Sequence, residues 1–355
     1  MRAADGRYFR PHAGRTWRDC ETPEFDVIFR CQKLTDHDCF YLYAYQGRLF
    51  FIVGQLDNHQ NTLMIEGVGG SGKSTLMLIS QKFWPQHLLG IMSSNMQEQF
   101  GMSAVLRENR TRVIYCNEVS DQLRVVQEEW QTTVSGEMGS YAVKNQQMPL
   151  VCRAKAQHFW CGNGFPCGDT GSASRNRFKN NQLQVSRRLA GVLFAHPIAP
   201  RDGSILSTIE NERMGALQRR MALAYFEFVR VTGATDPMST VDWEAPLLPP
   251  AFLAYYKRGV RASNPVEAFL SDPRYVEQCV GAEMTFDRFR ELYDAYRAKE
   301  HLPKEGRLGE DQYRTPFMNR GVMTRYEECW TDAEGVDHPK VNVIYGLRAV
   351  EGAEA

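Results

Sequence analysis

The residues best equipped for chemistry stand in one short run: Gly67, Val68, Gly69, Gly70, Ser71, Gly72, Lys73, Ser74 and Thr75. They fit the spacing G-x-x-x-x-G-K-[ST], a loop that holds phosphate. Its glycines let the backbone curl with positive φ and approach a ligand closely. Loop amides and the positive end of the following helix then face the anion. Lys73 is placed to reach the β- and γ-phosphates of a nucleotide and the Ser74 hydroxyl to hold magnesium, so ATP and Mg2+ are the expected cofactors. The flanks agree with the letters. Leu63-Met64-Ile65 reads as a short buried strand before the loop, and Leu76 to Ile79 reads as a helix start after it.

Three further clusters follow in chain order. Arg112-Val113-Ile114-Tyr115-Cys116-Asn117-Glu118 is an apolar strand ending in a polar pair, the Walker B arrangement. It sets a carboxylate beside magnesium and the attacking water, and Glu118 is the residue to orient or deprotonate that water. Asn117 stands where an acid is more usual; it can hydrogen-bond a magnesium-bound water but adds no negative charge. His158-Phe159-Trp160-Cys161-Gly162-Asn163 is another strand, and the Asn163 amide at its end can hold the lytic water or sense the γ-phosphate. Ser186-Arg187-Arg188 precedes the apolar Leu189 to Phe194, and either arginine could neutralise charge on the γ-phosphate of a neighbouring subunit. Each cluster alone also reads plainly, as a strand ending at a polar turn, a turn asparagine or a solvated basic turn.

The elements that must position these groups are legible in outline. Apolar runs at Leu63–Ile65, Val113–Cys116, His158–Cys161 and Gly191–Phe194 alternate with helical stretches, which predicts an α/β sheet with covering helices. Residues 1–60 read as an approach segment, with Leu34 to Gln55 as a packing helix, and 61–200 as the ATPase core. Residues 201–262 read as a helical extension and linker, in which Ile205, Ile209, Leu217, Met221, Tyr225 and Phe228 keep helical spacing from Ser204 to Val231. Gly233 and Pro237 close that helix, and Pro246 to Pro250 is a turn. Residues 263–355 form a smaller unit with helices at Val266–Leu270 and Phe286–Lys299 and a final strand at Val341–Leu347.

Bulk composition excludes several classes. The chain has 355 residues, with 42 basic and 42 acidic residues, so no global field attracts a polyanion and any nucleic-acid contact is local. The most apolar segment, Cys39 to Gly54, is interrupted by Gln46, Gly47 and Arg48 and is too short to span a bilayer. Nine cysteines without a Cys-x-x-Cys pair, and no signal peptide, suggest free thiols and a soluble, intracellular protein. Cys20, Cys31, His37 and Cys39 could be imagined as a zinc site, but their spacing is irregular.

Lys73, Glu118, Asn163 and Arg188, spaced by about 45, 45 and 25 residues, resemble the motif series of the superfamily 3 helicases of DNA viruses, which are AAA+-type motors. That family carries a β-hairpin between its second and third motifs whose lysine contacts DNA. The matching stretch here is Ser135 to Asn145, which gives Lys144 the DNA-contact role, with Gly136 and Gly139 permitting a tight turn and Arg153 and Lys155 following as a basic pair. The resemblance is nearest to the helicase part of the poxvirus-type primase-helicases of large DNA viruses. Asn95, Gln99, Phe100 and Gly101 resemble the segment before the second motif; Leu247 to Phe252 and Asn264 to Leu270 resemble the post-motor region. Phe286 to Tyr296 and Tyr313 to Gly321 resemble a small winged-helix-like C-terminal domain.

The resemblance implies an AAA+-like P-loop core with flanking helices. It also implies a homo-oligomeric ring, as a hexamer, with ATP between subunits and Arg188, backed by Arg187, entering the neighbour's site. The partners it implies are single-stranded or forked DNA and a primase or polymerase. The compartment would be host cytoplasm or nucleus. The family often carries a primase domain upstream, for which the 60 or so residues before the loop leave no room, so the expectation is either a helicase-only protein or a fragment of a longer one. Three other readings stay open. One is a P-loop ATPase that packages or remodels DNA without unwinding it, another a small-molecule kinase, and the third a weakly hydrolysing nucleic-acid-binding scaffold. The segment Trp160 to Asp169, with Cys161 and Cys167, reads as a loop near the nucleotide, and Arg175, Arg177 and Lys179 as a solvated basic loop that a ring could turn towards DNA.

Overall fold

A computed structural model describes residues 16–93, 100–119, 125–163, 184–199, 203–233, 235–238, 247–263, 265–299, 308–332 and 335–350. Asn95, Gln99, Cys167, Arg175, Arg177, Lys179 and Asn264 lie outside the described residues. The chain divides into two compact units, Met1–Cys167 with Ser174–Lys257, and Gly168–Ala173 with Arg258–Ala355.

The first unit opens with two helices, α1 (Pro23–Cys31) and α2 (Asp36–Arg48). Pro23 at the first helical position of α1 brings a preset φ, and Phe25, Ile28 and Phe29 make its buried stripe. A capping box starts α2: Asp38 N–H donates to the Thr35 hydroxyl at 3.1 Å and Thr35 N–H to the Asp38 carboxylate at 2.9 Å. The chain then runs β1 (Thr62–Gly67), α3 (Lys73–Lys82), β2 (Leu89–Met92), α4 (Gly101–Leu106) and β3 (Val113–Val119). It continues through α5 (Gln127–Ser135), the hairpin β4 (Met138–Tyr141) and β5 (Leu150–Arg153), β6 (Gln157–Gly162) and β7 (Leu189–Phe194).

Five strands form one parallel sheet in the order β2-β3-β6-β1-β7. β1 and β6 are buried along their whole length, as expected of parallel strands covered on both faces. Trp130 of α5 and Trp160 of β6 pack with ring centroids 5.3 Å apart, and the Trp130 indole donates to Thr62 Oγ1 at 3.1 Å, pinning α5 to the start of β1. The apolar run Leu89–Met92 is a fifth strand that the sequence reading passed over.

The long helical stretch is not continuous. A short α6 (Ile205–Thr208) passes through a π turn at Ile209–Arg213 into α7 (Met214–Thr232), which Gly233 ends with φ 62°. Leu217, Met221, Tyr225 and Phe228 form the buried stripe of α7, and Phe228 packs on Tyr41 and Tyr45 of α2 at 5.0 and 5.5 Å. Helix α8 (Pro250–Ser263) begins against α2, where Asp38 Oδ1 accepts from Ala251 N–H at 2.8 Å.

The second unit runs α9 (Pro265–Leu270), β8 (Val276–Thr285), α10 (Phe286–Lys299), α11 (Glu310–Asn319), β9 (Met323–Thr331) and β10 (Asp337–Ala349). Its antiparallel sheet has the order β8-β10-β9. Phe269 sits at the centre of its core, with ring centroids 5.3 Å from Phe289 and 5.4 Å from Tyr293 and Tyr296. Among the described residues no helix is long and apolar enough to cross a membrane, and no group of three or more His, Cys, Asp or Glu gathers to hold a metal. Cys20, Cys31, His37 and Cys39 therefore do not form the zinc site their proximity in sequence allowed.

Candidate active site at the carboxyl ends of the parallel strands

The chain leaves β1 towards one side of the sheet and returns on its other side as β7, so the strand order reverses at β1. In open parallel sheets ligands bind outside the carboxyl ends of the strands at such a reversal. The glycine loop occupies this position, between β1 and α3. Gly72 has φ 95°, and an added Cβ would lie 2.8 Å from Ile28 Cγ2 and 3.0 Å from Ile198 Cδ1, so only glycine fits there. The Lys73 ammonium is buried and donates to Gly67 O at 2.6 Å and Val68 O at 2.7 Å. Ser74 is exposed and Thr75 half-buried at the first turn of α3.

β6 lies between β1 and β3, and this brings the other two motifs to the same edge. β3 and β6 pair in register up to Cys116 and Trp160, then resume at Val119 and Gly162. The extra residue is a bulge at Asn117 and Glu118, and both side chains are exposed there while Val113 to Cys116 are buried. A bulge of this kind re-aims side chains at the end of a ladder. Gly162 permits the close approach, since an added Cβ would meet Val119 at 2.9 Å. The Asn163 amide Nδ2 donates to Glu118 Oε1 at 2.9 Å. Asn117 Oδ1 accepts from Gln81 Nε2 of α3 at 3.1 Å, so the amide that replaces an acid is held by a neighbouring helix. The donors Ser74, Asn117 and Glu118 are all oxygen, the set a hard cation such as magnesium takes.

The arginine pair stands elsewhere. Leu189 pairs with Thr62 and Phe194 with Gly67, which puts Arg187 and Arg188 at the amino end of the sheet. Six residues of β1 at roughly 3.3 Å each separate that end from the glycine loop. Arg188 is buried, donating to Gln184 O at 2.9 Å and to Gln60 Oε1 at 3.5 Å; burial, then the neighbouring Arg187, lowers its pKa. Arg187 is exposed, and its carbonyl accepts from the buried Asn61 amide at 3.1 Å. Of the two arginines expected from the sequence, Arg187 is thus the exposed one and Arg188 the buried one.

The hairpin also differs from the sequence reading. Gly136 ends α5 with φ 65° and Gly139 lies within β4, so neither makes the turn. The turn spans residues 142–149, with Asn145 at φ 61° and Lys144 exposed beside it. Asparagine tolerates that left-handed conformation, and its turn signal was outweighed by the two glycines.

The chain matches no family model, and no curated protein matches it. Among solved structures it is similar to apo structures of the NrS-1 C terminal region. One covers 95% of this chain and 79% of its own at 12% identity and a TM-score of 0.47. Another covers 96% and 79% at 13% identity and a TM-score of 0.45. Likeness at that distance carries no function, which has to be argued from the site.

Proposed function

We propose that this chain is an ATP-dependent DNA helicase acting as a homo-oligomeric ring. The observation that carries the reading is the convergence, at one edge of a parallel sheet, of the Lys73 loop, the Glu118 carboxylate and an Asn163 amide bonded to it at 2.9 Å. Loop amides and Lys73 bind the phosphates, exchanging the lysine's backbone carbonyls for phosphate oxygens. Ser74 and Glu118, with Asn117 through a water, would hold magnesium, which when bound neutralises charge on the β- and γ-phosphates. Glu118 takes the proton of the attacking water, while Asn163 fixes the carboxylate's orientation and reads the γ-phosphate. Arg187 of a neighbouring subunit completes the site.

Lys144 at the exposed hairpin tip suits contact with DNA phosphates, which needs charge rather than base reading. The second unit's order of helix, strand, two helices and two strands supports a winged-helix-like reading. Its β9–β10 hairpin carries Glu327, Glu328, Asp332 and Asp337, which disfavours that hairpin as the phosphate contact. ATP hydrolysis with and without single-stranded DNA, for wild type and Lys73→Ala, tests the proposal. Turnover that rises with DNA and vanishes in the variant is expected. Turnover indifferent to DNA would support a remodelling ATPase instead. The engaged Asn117 favours one second reading, a scaffold that binds nucleotide and hydrolyses it weakly.

A further inference from the structure

The phosphate loop is held from outside by a residue of the N-terminal helix. Gln32, buried at the end of α1, donates from Nε2 to Ser71 O at 3.1 Å and to His196 O at 2.7 Å. Its Oε1 accepts from His196 N–H at 3.0 Å. One amide thus bridges the loop and the segment that follows β7. From that same segment Ile198 N–H donates to Gly70 O at 3.0 Å. Ile28 of α1 and Ile198 also wall the loop at Gly72.

These contacts have a geometric consequence for the ligand. A trans peptide is planar, and the C=O of one residue points opposite to the N–H of the next. Tying the Gly70 and Ser71 carbonyls outward therefore aims the Ser71 and Gly72 N–H groups into the loop's concave side, where a phosphate oxygen would lie. Donors fixed in advance cost no reorganisation when the anion arrives. We infer that Gln32 is a positioning residue for phosphate binding, acting through the orientation of the Ser71–Gly72 peptide. The inference rests on the nucleotide reading above and names a residue 39 positions before its partner in the loop.

The test measures MgATP affinity of the full chain for wild type, Lys73→Ala, Gln32→Met and Gln32→Glu, near pH 8 and near pH 6. Gln32→Met keeps length and volume without donors, and is expected to weaken binding about tenfold at both pH values. Gln32→Glu sets a carboxylate against the Ser71 and His196 carbonyl oxygens. It is expected to bind more weakly still near pH 8 and to regain affinity near pH 6, relative to wild type, as protonation restores one donor. Each Gln32 variant keeps Lys73 and His196, the charged or titratable side chains beside the loop and at the glutamine's backbone partner, and is compared with wild type at the same pH. A variant damaged only in packing shows no such recovery, and Gln32→Met carries the test if the glutamate variant does not fold. Binding within about twofold of wild type for folded Gln32 variants at both pH values would overturn the inference. Wild type that fails to bind MgATP, or binds it as well as Lys73→Ala does, would instead remove the nucleotide reading and the inference with it.

Discussion

The two ends of the parallel sheet are built to different plans. At the carboxyl end, Lys73, Glu118 and Asn163 from separate motifs converge, with Asn163 touching Glu118 and the carbonyls of Gly67, Val68, Gly70 and Ser71 engaged. At the amino end, Arg187 is exposed and its carbonyl accepts from Asn61, while the turn before β3 holds Arg107, Glu108 and Asn109 all at positive φ. The first end carries the lysine loop and the carboxylate; the second carries an exposed arginine. The proposed ring joins the two ends, each copy lending its arginine to the next; such a heterologous contact makes a ring where its rotation closes and a filament where it does not.

Removing either half breaks the comparison. The largest effect is expected for Arg187→Ala, which should lower kcat in the assembled protein by about 10³-fold or more while leaving nucleotide affinity nearly intact. Arg188→Ala should instead lower the melting temperature, because its guanidinium is buried against Gln184 and Gln60. Loss of turnover in the Arg188 variant with an unchanged melting curve would reverse the assignment. Next comes Glu118→Gln, expected to reduce hydrolysis about 10²- to 10⁴-fold with MgATP binding retained, as measured by turnover and by equilibrium binding. Lys144→Ala should weaken single-stranded DNA binding equally across sequences and reduce the salt slope by about 0.7, read from binding titrations over a range of salt.

The last effect concerns the pH dependence of stability. His158 lies in β6, and among the described residues neither ring nitrogen finds a hydrogen-bond partner. Burial, with a smaller contribution from Arg48, lowers its pKa to about 3 from 6.5. The unfolded chain binds a proton below about pH 6.5 that the folded chain refuses, so stability falls as pH drops through this window towards 3. The slope from this group approaches 1.4 kcal/mol per pH unit at most, and His158→Leu should flatten it in denaturant titrations across that range.

Much of the sheet was legible because its strands are short, mostly apolar and followed by chemistry-bearing residues, as at Leu63–Ile65 and His158–Cys161. Leu89–Met92 was hidden by a central glycine and by its length of four residues. In the second unit, β8 and β9 are largely exposed, and polar residues such as Glu277, Gln278, Glu327 and Glu328 dilute their pattern. Order along the chain was enough to choose Glu118 and Asn163, but their contact depends on a bulge that no spacing announces. Gln32 left no signal at all. A lone glutamine after a helix has no motif, and its role exists only because folding brings Ser71 and His196 to it.

The most direct measurement mixes two inactive proteins. Lys73→Ala lacks the phosphate-binding lysine but keeps Arg187; Arg187→Ala keeps the loop but lacks the arginine. Co-assembled in equal amounts, about a quarter of the interfaces join an intact loop to an intact arginine. The mixture is expected to regain ATP hydrolysis to that order, and dilution through dissociation to remove it. A mixture as inactive as its two components, under conditions where the assembled wild type hydrolyses ATP, would contradict a site shared between the two ends of the sheet.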